Sequence, residues 1–282
     1  MIIWLSSYPK SGNTWLRSLI SNYFFSKDGN FSFELIKQID SFPSSKFFKN
    51  YKDKFEKPED TSKYWIKEQE KINSLNKIFF FKTHNALCKI NGNKFTNQKN
   101  TLAAIYIIRD PRNVVTSIAN HYQITTRNAF NFMKDKNRGI IEKKGGRYIG
   151  FQPLFSWDLH LKSWTENTLY PSLIIKYEDL IRDTSSTFKK VLEFIKKITN
   201  SKDIINEQKM LKCVENCQFS NLKRMEKENG FDESMIDKKT GNKITFFNLG
   251  EKNNFKDILE KDLIDEMNDY FKYQLKKYKY II

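Results

Sequence analysis

Lys10-Ser11-Gly12-Asn13-Thr14 gathers a cation, two hydroxyls and a glycine within five residues. Before it, Met1 to Leu5 is an apolar run of strand character. After it, Trp15, Leu16, Leu19, Ile20, Tyr23 and Phe24 recur at helical spacing. A strand, a short polar loop and a helix N-terminus in that order aim free backbone N–H groups and a lysine at one point. That is the chemistry of a phosphate site. Lys10 does not serve the helix, because a cation at a helix N-terminus is unfavourable unless an anion is present. The loop is not of the Walker type: its lysine precedes its glycine, and no glycine stands five residues upstream.

Further strand ends carry reactive side chains. Phe79-Phe80-Phe81-Lys82-Thr83-His84 reads as a buried strand ending in a lysine and a histidine. Strand ends are where α/β sites gather, and a neutral imidazole there can take a hydroxyl proton near pH 7. Ala103 to Asp110 reads as another strand, running into Pro111-Arg112 and a helix. Arg109 at its end and Ser117 two turns into that helix converge on one side, where the guanidinium fork can clamp a terminal phosphate. Asp110 and Arg112 are expected to pair and fix the turn. Leu173 to Leu180 reads as one more strand, ending in Tyr177-Glu178-Asp179-Leu180.

These segments, in this order, resemble the cytosolic-type sulfotransferases. Tyr8-Pro9-Lys10-Ser11-Gly12-Asn13-Thr14-Trp15 is similar to the family's Tyr-Pro-Lys-Ser-Gly-x-Thr-Trp loop. Lys82-Thr83-His84, Arg109 to Arg112, Tyr177 to Leu180, and Gly250 with Phe255-Lys256 match its later motifs. The resemblance implies a P-loop-type single domain with a mostly parallel central sheet flanked by helices. It implies the donor 3′-phosphoadenosine 5′-phosphosulfate (PAPS), no metal, and in-line transfer of a sulfuryl group to a hydroxyl, less often an amine. His84 is then the base, Lys10 meets the oxygen bridging phosphate and sulfate, and Lys82 steadies the sulfuryl oxygens. Ser11, Gly12, Asn13 and Thr14 hold the 5′-phosphate; Trp15, Tyr177 and Phe219 surround the adenine; Arg109 and Ser117 take the 3′-phosphate; Gly250 belongs to the Gly-rich segment.

The sequence also departs from the family. Asn85-Ala86 follows His84, where a proline usually stands second. Asn13 replaces a threonine. Asn248-Leu249 stand where the family has Arg-Lys, with Lys243 and Lys252 as the nearest substitutes. A lost charge-assisted pair costs about 1.5–3 kcal/mol, roughly one to two decades in affinity. The family's dimer motif is not met after Lys256, so the oligomeric state stays open.

Around these motifs the 282 residues show no linker and no repeat, which favours one domain over 1–282. Strands alternating with helical segments favour a parallel α/β sheet. A net charge of +16, from 49 basic and 33 acidic residues, fits an anionic partner or a lysine-rich coding bias. No nucleic-acid motif accompanies it, and no nucleic-acid partner is expected. No apolar run is long enough for a bilayer span, the first strand begins at Met1 without a signal peptide, and three cysteines suit a reducing compartment. A cytoplasmic protein is therefore expected, with Cys213 and Cys217 as ordinary thiols. Helices are expected over 61–76, 156–165, 184–196 and 260–277. Residues 123–155, rich in glycine and charge, read as a solvated loop or an acceptor lid. His121 is expected to be structural and His160 to line the acceptor side. Trp65, Phe81, Phe151, Phe155 and Trp157 are candidates for the acceptor pocket. The acceptor is a small molecule or a glycan. Two other readings remain: a P-loop kinase or NTPase, and a non-catalytic glycan- or anion-binding protein.

Overall fold

The first strand, β1 (Ile2–Ser6), is buried at every residue because both of its faces are covered. Ile2 and Trp4 enter one apolar cluster with Phe81, Tyr106 and Ile108, while Ile3 and Leu5 enter a second with Leu16, Leu19, Ile105 and Ile107. A strand between two cores reads as an unbroken apolar run, the sequence mark of a parallel sheet. The computed structural model describes residues 1–237 and 240–280. After β1 come β2 (Asp40–Ser41), β3 (Phe79–Thr83), β4 (Lys89–Ile90), β5 (Asn93–Lys94), β6 (Thr101–Ile108), β7 (Gly139–Lys144), β8 (Arg147–Pro153) and β9 (Ser172–Lys176). The main sheet has the order β2-β3-β1-β6-β9, with every pairing parallel. Helices Asn13–Phe25 and Thr184–Thr199 cover one face; Pro111–Tyr122, Trp157–Thr165 and Lys261–Tyr270 cover the other. The α/β fold expected from sequence is the one observed.

The chain leaves β1 towards β3 and later returns to β6 on the other side, so the strand order reverses at β1. The loops after β3, β1 and β6 therefore open side by side at one end of the sheet, where ligands of open α/β sheets bind. Among the described residues no helix is long and apolar enough to cross a membrane.

The structure departs from the sequence reading at four places. The strand expected to reach Leu180 stops at Lys176, and Tyr177–Arg182 is a helix. Glu178 and Asp179 fill its first turn, where carboxylates favour a helix N-terminus. The helix expected from Thr61 is a 3₁₀ segment, Pro58–Tyr64, followed by an α-helix, Trp65–Asn73. The stretch 123–155 is not an irregular loop. Thr125 caps a helix, Thr126–Lys134, by accepting from the Asn128 N–H at 3.1 Å, and β7 and β8 form a hairpin over Gly145-Gly146. Those two glycines sit at φ 56° and 77°, the left-handed pair that a two-residue hairpin turn needs. The last helix is broken at the buried Phe271 into Lys261–Tyr270 and Lys272–Lys277.

The turn after β6 is fixed as expected. Asp110 accepts from the Arg112 backbone N–H at 2.9 Å, and Arg112 Nε and Nη2 reach the same carboxylate at 3.0 and 2.7 Å. Pro111 occupies the first helical position, where its missing N–H costs nothing. Arg112 also lies 4.1 Å over the Phe255 ring and donates to Asn268. Asp110 and Arg112 are both nearly sealed from solvent, at 8% and 2% side-chain exposure. Removing one partner of such a pair costs about 3–5 kcal/mol. Asp110→Ala is expected to lower unfolding free energy by about that amount in urea denaturation.

Candidate active site

One cavity of about 420 Å³ opens at this end of the sheet. Lys10, Gly12, Asn13, Thr14, Trp15, Lys82, His84, Arg109, Ser117, Tyr177, Phe219 and Gly250 all line it. Of the catalytic and donor-binding residues singled out from sequence, Ser11 does not. It is buried inside the turn, where its N–H donates to the Tyr8 carbonyl at 3.3 Å.

The phosphate-type loop is held by its neighbours. Gly12 precedes the helix at φ 101°, and a Cβ there would stand 2.5 Å from Tyr177 Cδ2, so glycine alone fits. Arg109 Nη1 donates to the Lys10 carbonyl at 3.0 Å, and its guanidinium lies 4.1 Å over the Tyr177 ring. The loop after β1 is thereby tied to the end of β6. Asn13 Nδ2 donates back to the Leu5 carbonyl at 2.9 Å. Trp15 donates through Nε1 to the Cys217 carbonyl at 2.8 Å and turns its ring edge on to Tyr177. Tyr177, Trp15 and Phe219 thus give the cavity an aromatic wall. A Cβ on Gly250, at φ 56°, would clash with the Phe219 ring, 2.4 Å from its Cε1.

His84 is locked in one tautomer. Its Nδ1 lies 2.8 Å from the Ser7 carbonyl, which can only accept, so Nδ1 carries the proton and Nε2 keeps a free lone pair. The His84 N–H donates to Gln152 Oε1 at 3.1 Å, and its carbonyl accepts from His160 Nε2 at 3.0 Å. His160 Nδ1 is left to accept from the Tyr106 hydroxyl at 3.0 Å. His160 is fully buried and stands behind His84 rather than lining the cavity, contrary to the sequence expectation. Burial, reinforced by Lys82, pushes His84 down to about 3, so the ring is neutral at ordinary pH. His121, expected to be structural, does line the cavity and faces the Phe246 ring.

The cavity is rich in desolvated cations. Burial, aided by Arg109 and Lys82 and opposed by Glu233, lowers Lys10 to about 7. Its Nζ lies 3.7 Å over the Phe246 ring. Burial also lowers Lys82, whose Nζ donates to Glu233 at 3.0 Å. Glu233 further accepts from Thr14 Oγ1 at 3.2 Å and pairs with Arg17. Burial alone would raise its carboxyl, but Lys82 and Arg17 hold it well below the usual carboxylate range. Nothing in the sequence flagged Glu233. Tyr122, Ile140, Met235 and Phe246, which form the apolar wall, were equally silent. The aromatics proposed from sequence for the acceptor pocket do not line this cavity, and Trp65, Phe81 and Trp157 belong to the core. Asn248 and Leu249 line it, whereas Lys243 and Lys252 do not; Lys223, which does not line it either, donates to the Asn248 carbonyl at 2.6 Å.

The sulfotransferase domain family model matches residues 2–279. Rat (Rattus norvegicus) sulfotransferase 2A6 is 30% identical over 132 residues, which is 44% of this chain and 43% of the rat protein. The chain thus matches less than half the length of that curated relative. Among solved structures, retinol dehydratase in complex with androsterone and inactive cofactor PAP aligns with a TM-score of 0.60 at 16% identity. That alignment covers 98% of this chain and 80% of the other. Mouse sulfotransferase SULT7A1 complexed with PAP aligns at 0.60 and 18% identity, covering 98% and 84%. At these identities the two structures establish the fold.

The state of Lys10 sets a pH dependence. In the empty site it loses its proton near pH 7, and a bound polyanion raises that value. Binding therefore takes up a proton above pH 7 and weakens as pH rises, by at most about a decade per unit. Titration with adenosine 3′,5′-bisphosphate (PAP) at pH 6.5 to 8.5, in buffers of different ionisation enthalpy, is expected to show that uptake. Lys10→Arg should flatten the slope.

Proposed function

Since the chain belongs to the sulfotransferase domain family, we propose that it moves a sulfuryl group from PAPS to the hydroxyl of a small acceptor. The observation that carries this reading is the free Nε2 of a neutral His84 in the same cavity as Lys10, Lys82 and Arg109. Cations suited to a phosphosulfate stand at one end and an aromatic wall suited to adenine beside them. A base for the acceptor completes the set.

In this reading the acceptor hydroxyl gives its proton to His84 Nε2 as its oxygen attacks the sulfur in line. The hydrogen bond from Nδ1 to Ser7 fixes the ring while that happens. Lys82 steadies the sulfuryl oxygens, and Lys10 takes up the charge that develops on the departing phosphate oxygen. His84 is a weak base in the empty site, and the negative donor beside it raises its basicity. Arg109 and Ser117 hold the 3′-phosphate. The apolar wall of Tyr122, Ile140, Met235 and Phe246 suits an alcohol or phenol with an apolar body better than a glycan. The solved relatives bound to androsterone and to retinol are consistent with such acceptors.

The first test is calorimetric titration with PAP, AMP and ATP–magnesium; preference for ATP–magnesium would overturn the reading in favour of a kinase-like enzyme. Arg109→Ala is expected to reduce the PAP-over-AMP preference by about one to two decades. The AMP affinity of the same variant shows whether its loop is intact. His84→Ala is expected to cut turnover of labelled PAPS with a phenol or sterol acceptor by about 10²–10⁴-fold while PAP binding stays within a few-fold.

A further inference from the structure

Glu233 occupies a place that the sulfotransferase reading needs for something else. Its Oε2 accepts from Lys82 Nζ at 3.0 Å and from Thr14 Oγ1 at 3.2 Å. Those are the donors that would meet the sulfuryl oxygens and the 5′-phosphate. A carboxylate is itself an anion with oxygens at hydrogen-bond distance, so it satisfies these donors as a ligand would. It cannot share them with one. Two negative groups within a few ångströms in a desolvated pocket repel strongly.

The surroundings also offer the carboxylate a second place. Glu233 lies between two cavities and lines both. Behind it a space of about 570 Å³ is lined by Arg17, Phe33, Lys37, Met225 and Phe231. Oε1 pairs with Arg17, whose side chain is only 4% exposed and also lines that second space. The carboxylate can therefore leave Lys82 and Thr14 while keeping its partner Arg17.

We propose that Glu233 is an internal stand-in for the donor's sulfuryl group, and that it withdraws towards Arg17 and the second cavity when the donor enters. The proposal rests on the sulfotransferase reading for the identity of that donor. It makes Glu233 a specificity residue. A ligand that brings an anion to Lys82 displaces it, and one that does not must bind beside it. PAP, which lacks the sulfuryl group, competes with it less directly than PAPS.

The test is calorimetric titration of wild type and Glu233→Gln with PAPS, PAP and inorganic sulfate. Glu233→Gln is expected to bind PAPS and sulfate at least tenfold more tightly than wild type, with a smaller gain for PAP. Equal or weaker binding of PAPS and sulfate by the variant would overturn the proposal and make Glu233 a structural partner of Lys82. PAP binding by the wild type reports on the sulfotransferase reading separately. Loss of that binding alongside a gain in sulfate affinity by the variant would retain the stand-in and remove the donor assignment. If Glu233→Gln does not fold, a crystal structure of the wild type with PAP and sulfate decides. Lys82 Nζ and Glu233 more than about 4 Å apart, with the Arg17 pair kept, supports the proposal; an unbroken Lys82–Glu233 contact overturns it.

Discussion

Mutual repulsion among desolvated cations is the constraint on which this structure depends. β3, β1 and β6 are neighbours in the sheet, and their ends deliver Lys82, Lys10 and Arg109 to one cavity. Neighbouring strands lie about 4.8 Å apart, so the backbone alone forces the charges together. The protein manages the repulsion in three ways. Arg109 is turned on to the Tyr177 ring and the Lys10 carbonyl, Lys10 lies over Phe246 with its proton loosened, and Lys82 leans on Glu233. Each device holds a cation in place with groups of the chain itself.

His84 obeys a different logic. Its ring is fixed by a main-chain atom, the Ser7 carbonyl at Nδ1, and its own backbone is gripped by the side chains of Gln152 and His160. His160 in turn is set by Tyr106 on β6, so the position of the imidazole is referred back to the central sheet. The cations and the imidazole thus share a scaffold without sharing side-chain partners.

What was legible in the sequence was local. The buried run of β1, the helical spacing after Gly12 and the Asp110–Arg112 turn each lie within a few residues, and the structure has them as read. Tyr177 stands at the sheet end as read, although a strand read through Leu180 runs past the start of a helix, which Glu178 and Asp179 could have signalled. The hairpin β7–β8 was missed behind its lysines, although its Gly145-Gly146 pair was a usable signal. Glu233 was beyond reach of any such reading. Its partners Thr14, Arg17 and Lys82 are 219, 216 and 151 residues away, in a segment without periodicity. The two histidines changed places for a related reason, since spacing gives a helical face but not what that face meets. His121 turned to the cavity, and His160 turned to the back of His84.

The main-chain anchoring of His84 bears on how this scaffold diversifies. The apolar wall before it is assembled from separate stretches: Tyr122 ends a helix, Ile140 belongs to a hairpin strand, and Met235 and Phe246 lie after residue 230. None of these side chains holds the imidazole. Mutations can therefore rework that wall piece by piece while the orientation of the imidazole is inherited intact, so a lineage built on this scaffold can reshape what its cavity admits without disturbing the ring that faces it.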